Sequence, residues 1–108
     1  MKPDTRKLTE AIELCFERSQ DTDLPATERA RFLSRGVQLR NQLGKLLSSH
    51  LDAEVDEEIS AANSRLGEVV KQLQENVDDI ARVEEQIAEL RGISQLLETV
   101  LKGAVSLV

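Results

Sequence analysis

Leu73-Gln-Glu-Asn76-Val-Asp-Asp-Ile80-Ala-Arg-Val83 decides the architecture of this chain, because it is either the middle of one long helix or the turn between two. Asn76-Val77-Asp78-Asp79 is a run of poor helix formers, and Asp78 is placed to cap a new helix. Against a break stands the hydrophobic register. Ile59, Leu66, Leu73, Ile80, Ile87, Leu101 and Val108 recur every seventh residue, with Ser94 the one miss. Ala62, Val69, Asn76, Val83, Leu90, Leu97 and Ala104 fill the half-steps, with Asn76 the polar exception. Two interleaved series of this kind lay an apolar seam along one side of a helix, and an inserted turn normally shifts their phase. The register therefore predicts one helix from about residue 53 to 104, roughly 75–80 Å long at 1.5 Å per residue. The alternative is a four-helix bundle broken near Asn76–Asp79.

Upstream, Asp4–Gln20 reads as a first helix with Leu8, Ile12, Cys15 and Phe16 on one face. Asp21-Thr-Asp-Leu-Pro25 ends it, since Leu24 precedes a proline and Pro25 suits a first helical turn. A second helix runs from Ala26 to about Ser49. Its apolar set is broad and includes Ala30, Phe32, Leu33, Val37, Leu39, Leu43, Leu46 and Leu47. Gly36 and Gly44 each weaken it by about 1 kcal/mol unless another helix packs close there. Ser48-Ser49-His50-Leu51-Asp52 is a softer boundary, taken as a turn because Ser and Asp favour caps and the charge changes sign across it. The whole of residues 1–108 thus reads as a single all-α domain: an antiparallel hairpin or bundle of three helices, the last heptad-patterned.

Composition agrees. Trp and Tyr are absent and Phe16 and Phe32 are the only aromatics, so the core is built from Leu, Ile, Val and Ala, and no alternating β-branched run supports a sheet. Residues 1–50 carry nine Lys/Arg and seven Asp/Glu, net +2, and residues 51–108 carry five and thirteen, net −8, which together make −6. That balance argues against nucleic acid or anionic lipid as partner.

Chemistry is hard to find in these residues. No glycine-rich phosphate loop occurs. Cys15 is alone, and His50 with Glu54 supplies too few ligands for a metal. The acidic run Asp52, Glu54, Asp56, Glu57, Glu58 lacks the spacing of a calcium loop and suits the first turn of a helix. No catalytic, cofactor-binding or metal site is expected. Arg29, Arg31, Arg35, Arg40 and Lys45 make helix 2 basic; in a hairpin turning near His50, Arg40 and Lys45 are expected to approach the acidic start of helix 3.

Length supplies the functional expectation. Two short helices cannot cover a seam of that extent, and each Leu or Ile left in water forgoes about 1.5–3 kcal/mol of burial. The sequence therefore predicts a non-enzymatic protein–protein interaction and self-association module, a homodimer by preference. Its interface would comprise Leu73, Asn76, Ile80, Val83, Ile87, Leu90, Leu97 and Leu101, with Asn76 fixing register if buried. A small chaperone or inhibitor that grips one dedicated protein through the tail Ile93–Val108 is the alternative. Membrane association through that tail is a weaker one, because it carries a single basic residue, Lys102, and no Trp. The charged N-terminus lacks the apolar core of a secretory signal, so the expected location is cytoplasmic.

Overall fold

The computed structural model describes residues 1–49, 51 and 53–103 and contains four α-helices: α1 (Thr5–Ser19), α2 (Ala26–Leu47), α3 (Asp56–Gln74) and α4 (Ile80–Gly103). A single 3-10 turn, Ala53–Val55, precedes α3. The all-α reading stands, and the main expectation of three helices is corrected to the four of the alternative, with the break near Asn76–Asp79. The longest extent of the molecule is 45 Å, well short of what an unbroken third helix requires.

The break falls at Glu75–Asp79, where the run of poor helix formers prevails over the register. Asn76 adopts the left-handed region at φ 54°, a conformation that Asn tolerates better than most residues with a side chain. Asp79 starts the next helix, its Oδ1 accepting from the Ala81 N–H at 3.2 Å and its carbonyl from Val83 at 2.9 Å. Asp79 therefore takes the capping role expected of Asp78. The seven-residue phase survives because Leu73, the turn and Ile80 happen to span one heptad, although the chain reverses between them.

At the other boundaries the local signals act as read. Asp4 caps α1 by accepting from the Lys7 N–H at 3.0 Å. Asp21 closes the α1–α2 turn, accepting from Asp23 N–H on its side chain and from Leu24 N–H on its carbonyl, both at 3.0 Å. Leu24 plugs the end of the core, and α2 follows directly on Pro25. Ser48 terminates α2, so the expected turn is present, although His50 and Asp52 lie outside the described residues.

Two antiparallel hairpins, α1/α2 and α3/α4, lie side by side. Like-directed helices are neighbours across the join: α1 packs on α3 and α2 on α4, while α1 and α4, and α2 and α3, occupy the diagonals. One core fills the space, with Leu8, Phe32, Leu39, Ile59, Leu66, Leu90, Ile93 and Leu97 among the fully buried side chains. Gly36 permits close approach of α1, since a Cβ there would sit 2.8 Å from Phe16 Cε1 and 3.1 Å from Cys15 Cβ. Gly92 likewise leaves room for the Arg65 guanidinium, which donates to Glu89 through Nε at 2.6 Å and Nη2 at 3.1 Å.

Two buried polar groups set the alignment of the hairpins. Gln42 Nε2 donates to the Ser94 carbonyl at 2.9 Å and to Glu98 Oε2 at 3.1 Å, and Ser94 Oγ donates back to Gln42 Oε1 at 3.0 Å. Ser94, the miss in the heptad series, is thus the polar half of an α2–α4 lock. At the far end Arg18, on α1, ties both turns together. Its Nη1 donates to Asp21 at 2.6 Å and to Asn76 Oδ1 at 2.7 Å, its Nη2 donates to the Val77 carbonyl, and Asp78 lies 3.6 Å away.

Candidate functional site

The positions nominated for an oligomer interface are divided by the fold. Leu73, Val83, Ile87, Leu90 and Leu97 are buried in the chain's own core, and Leu101 is partly buried against it. Ile80 is 44% exposed at the start of α4. Asn76 is corrected outright: it is an exposed turn residue holding Arg18 and occupies no helical seam. The fold removes the uncovered seam on which self-association was argued, because α3 and α4 cover one another. In the tail, Ile93, Leu97 and Val100 face the core, and Ala104–Val108 lie outside the described residues. No helix among the described residues is long and apolar enough to cross a membrane.

Chemistry is equally constrained. Cys15 is fully buried, and burial pushes its thiol up to about 12 against a small opposing effect of Arg35, so it is held as the inert thiol. Among the described residues no three His, Cys, Asp or Glu side chains converge; His50 is outside them. The groove beside the two turns, about 510 Å³, is lined by Arg18, Asp21 and Asn76, which bond to one another through the Arg18 Nη1, while the buried Nε of Arg18 has no acceptor among the described residues. A second open groove, about 470 Å³, lies between the N-terminus and the end of α2, lined by Met1, Pro3, Leu46, Leu47 and Leu51 among others.

That second groove is one end of the more informative feature. α2 buries Phe32, Gly36, Leu39, Gln42 and Leu46, a stripe with helical spacing. Its opposite side carries a second series at steps of four and three: Ala26, Ala30, Leu33, Val37, Arg40, Gly44 and Leu47, all exposed. Leu33, Val37 and Leu47 are 49%, 36% and 69% exposed. Met1 and Ile80 are the only other large hydrophobic side chains exposed among the described residues, and Met1 shares the groove with Leu47. A Cβ added at Gly44 would meet nothing within 4 Å.

The surroundings of this stripe are basic. Arg31 is occupied by Glu84 at 2.6 Å, and Arg35 donates to Gln38 at 2.8 Å. Arg29, Arg40 and Lys45 meet no carboxylate among the described residues, and the buried Nε of Arg29 has no acceptor there. Arg40 lies over the Phe16 ring, 5.5 Å from its centroid, and of the acidic run that Arg40 and Lys45 were expected to approach, Asp52 lies outside the described residues. Glu28, the only carboxylate of α2, has its pKa raised by a shared hydrogen bond with Glu84 and by burial.

No protein family, curated protein or solved structure matches the chain.

The α2 stripe was half visible in the sequence. The breadth of the helix-2 apolar set was its signal, since one core-facing stripe does not need Leu33, Val37 and Leu47 in addition to Phe32, Leu39 and Leu46. The longer C-terminal register drew attention away from it. Arg18 gave no signal, because its role arises only when two turns 58 residues apart meet.

Proposed function

We propose that the protein is a non-enzymatic protein–protein interaction module and that the outer face of α2 is the surface it presents. The observation that carries the reading is the exposed Leu33, Val37 and Leu47 series on a bundle whose other large hydrophobic side chains, among the described residues, are buried or partly buried except Met1 and Ile80. Covering such residues gains about 25 cal/mol per Å² of apolar surface, and aligned spacing lets one partner cover all three. The interaction role expected from the sequence is retained, and its location moves from the C-terminal half to α2.

Site-specific photo-crosslinking in the native host tests this. A photoreactive residue at Val37 should give a discrete adduct, whereas the same residue at the exposed Ser64 of α3 should give none. The Val37 adduct should disappear with Leu33→Asp, a surface change that leaves the helical signal intact. Absence of an adduct at Val37, or identical adducts at both positions, refutes the reading. An adduct of twice the chain mass would assign the face to self-association.

A further inference from the structure

Resting on that reading, we infer that the partner is an acidic amphipathic helix of a different protein, laid along the Ala30–Leu47 face of α2. Spacing indicates the shape of the occupant. Ala30, Leu33, Val37, Gly44 and Leu47 follow the steps of four and three by which one helix offers a seam to another. Ala30 and Gly44 lower the floor of that seam so that a second backbone can come close. Gly36, Gly92 and Gly103 each have a neighbouring side chain where their Cβ would be, whereas Gly44, like Gly67 on α3, faces open space. The fold itself has no use for a glycine at that position.

Charge indicates the chemistry of the occupant. α2 carries Arg29, Arg31, Arg35, Arg40 and Lys45 against Glu28 alone. With Arg31 and Arg35 engaged inside the chain, Arg29, Arg40 and Lys45 are left to flank the stripe or interrupt it. Arg40 occupies an exposed seam position with its guanidinium carbon 5.5 Å from the Phe16 centroid, and a carboxylate on the occupant would pair with it. Glutamates beside a helical apolar stripe match this arrangement.

The same charges disfavour a second copy. Two α2 faces brought together would set Arg29, Arg40 and Lys45 of one copy against the same three residues of the other, with Glu28 buried in each. A head-to-tail contact with the acidic helices of another copy meets the charge requirement, but among the described residues α3 exposes no large hydrophobic side chain and α4 only Ile80. An anionic membrane is a poorer match as well, since the stripe offers no aromatic side chain and is narrowed by Ala and Gly.

The probe is a pair of synthetic amphipathic peptides of about three heptads, with Leu and Ala on the seam and either Glu or Lys beside it. Isotope-labelled protein is titrated with each and followed by amide chemical shifts. The Glu peptide should move the resonances of Ala30–Leu47, bind at least about tenfold more tightly than the Lys peptide, and weaken by about tenfold from 0.05 to 0.5 M salt. Lys45→Glu should narrow the gap between the peptides. Equal binding of both peptides, shifts confined to other helices, or no binding of the Glu peptide overturns the inference. So does engagement of this face by anionic vesicles but by neither peptide, or self-association abolished by Leu33→Asp. If the Val37 photo-adduct forms while the Glu peptide fails, the interaction reading stands and only the partner chemistry falls. If the adduct is also missing, both fall.

Discussion

A guanidinium shut away from water needs acceptors in place of the hydration it gives up, and Arg18 draws its acceptors from two different turns. Asp21 belongs to the α1–α2 turn, whereas Asn76, the Val77 carbonyl and Asp78 belong to the α3–α4 turn. Charge-assisted hydrogen bonds contribute about 1.5–3 kcal/mol each, and those partners that reach solvent recover part of the loss. Arg18→Ala should therefore lower stability by about 2–4 kcal/mol in urea melts. Arg18→Lys should restore little, because an ammonium cannot address both turns in the planar geometry they present. Two carboxylates give opposite pH signatures. The Arg65 guanidinium holds the Glu89 carboxyl below its ordinary value, so that contribution is present above the usual carboxylate range and is lost as pH falls through the lowered pKa. Glu28 is raised by its hydrogen bond to Glu84, so its contribution is present at acid pH and is lost as pH rises through the raised pKa. Thermal melts should accordingly show Glu89→Gln lowering the Tm near pH 7 and having little effect near pH 3. Glu28→Gln should raise the Tm near pH 7 and lose that advantage on acidification.

Among the elements, α2 is the one with two working faces, and its two glycines report on them separately. Gly36 is needed where it stands: a methyl group there drives into Phe16 and the Cβ of Cys15. Overpacking typically costs about 1–3 kcal/mol, more than the roughly 1 kcal/mol that alanine returns in helix propensity. Gly36→Ala should therefore lower the denaturation midpoint. Gly44 faces open space, so Gly44→Ala should raise stability by about 0.5–1 kcal/mol. If both substitutions moved the midpoint in the same direction, the assignment of one glycine to the core and the other to a free face would be wrong. The elements also mark how far sequence could lead. The absence of aromatics and of alternating strands, together with the Asp21–Pro25 break, was enough to read α1 and α2 to within about two residues of their observed ends. The α3–α4 turn was not readable from periodicity, because phase says which side of a helix is apolar and nothing about whether the axis reverses. Asn76 and Asp79 carried the local signal, and the intact register outweighed it. The α2 outer face was legible only as an excess of leucine and valine, since deciding which stripe is left over requires knowing where α1 and α4 dock.

At the scale of the molecule, contacts fall into two classes. Those within each hairpin join helices adjacent in sequence, whereas those between hairpins pair residues 52 to 61 apart, as in Gln42–Ser94 and Lys2–Asn63. Only the segment between α2 and α3 connects the two hairpins covalently. The hairpins also differ in charge. A cut between Ser48 and Ala53 would leave a first piece with nine Lys/Arg and seven Asp/Glu, net +2, and a second, residues 53–108, with five and twelve, net −7. Residues 1–48 and 53–108 made as separate peptides should each be weakly helical alone, regain the helical circular dichroism of the intact chain on mixing, and form a one-to-one complex. Added salt should weaken that complex. Failure to recover helicity on mixing, or full helicity in either piece alone, would contradict the two-hairpin description. The connecting segment then has a measurable meaning of its own. It acts as a tether whose contribution is an effective concentration, on the order of millimolar for a short linker, at which one hairpin finds the other. The ratio of the intact chain's folding constant to the association constant of the two pieces reads that concentration directly.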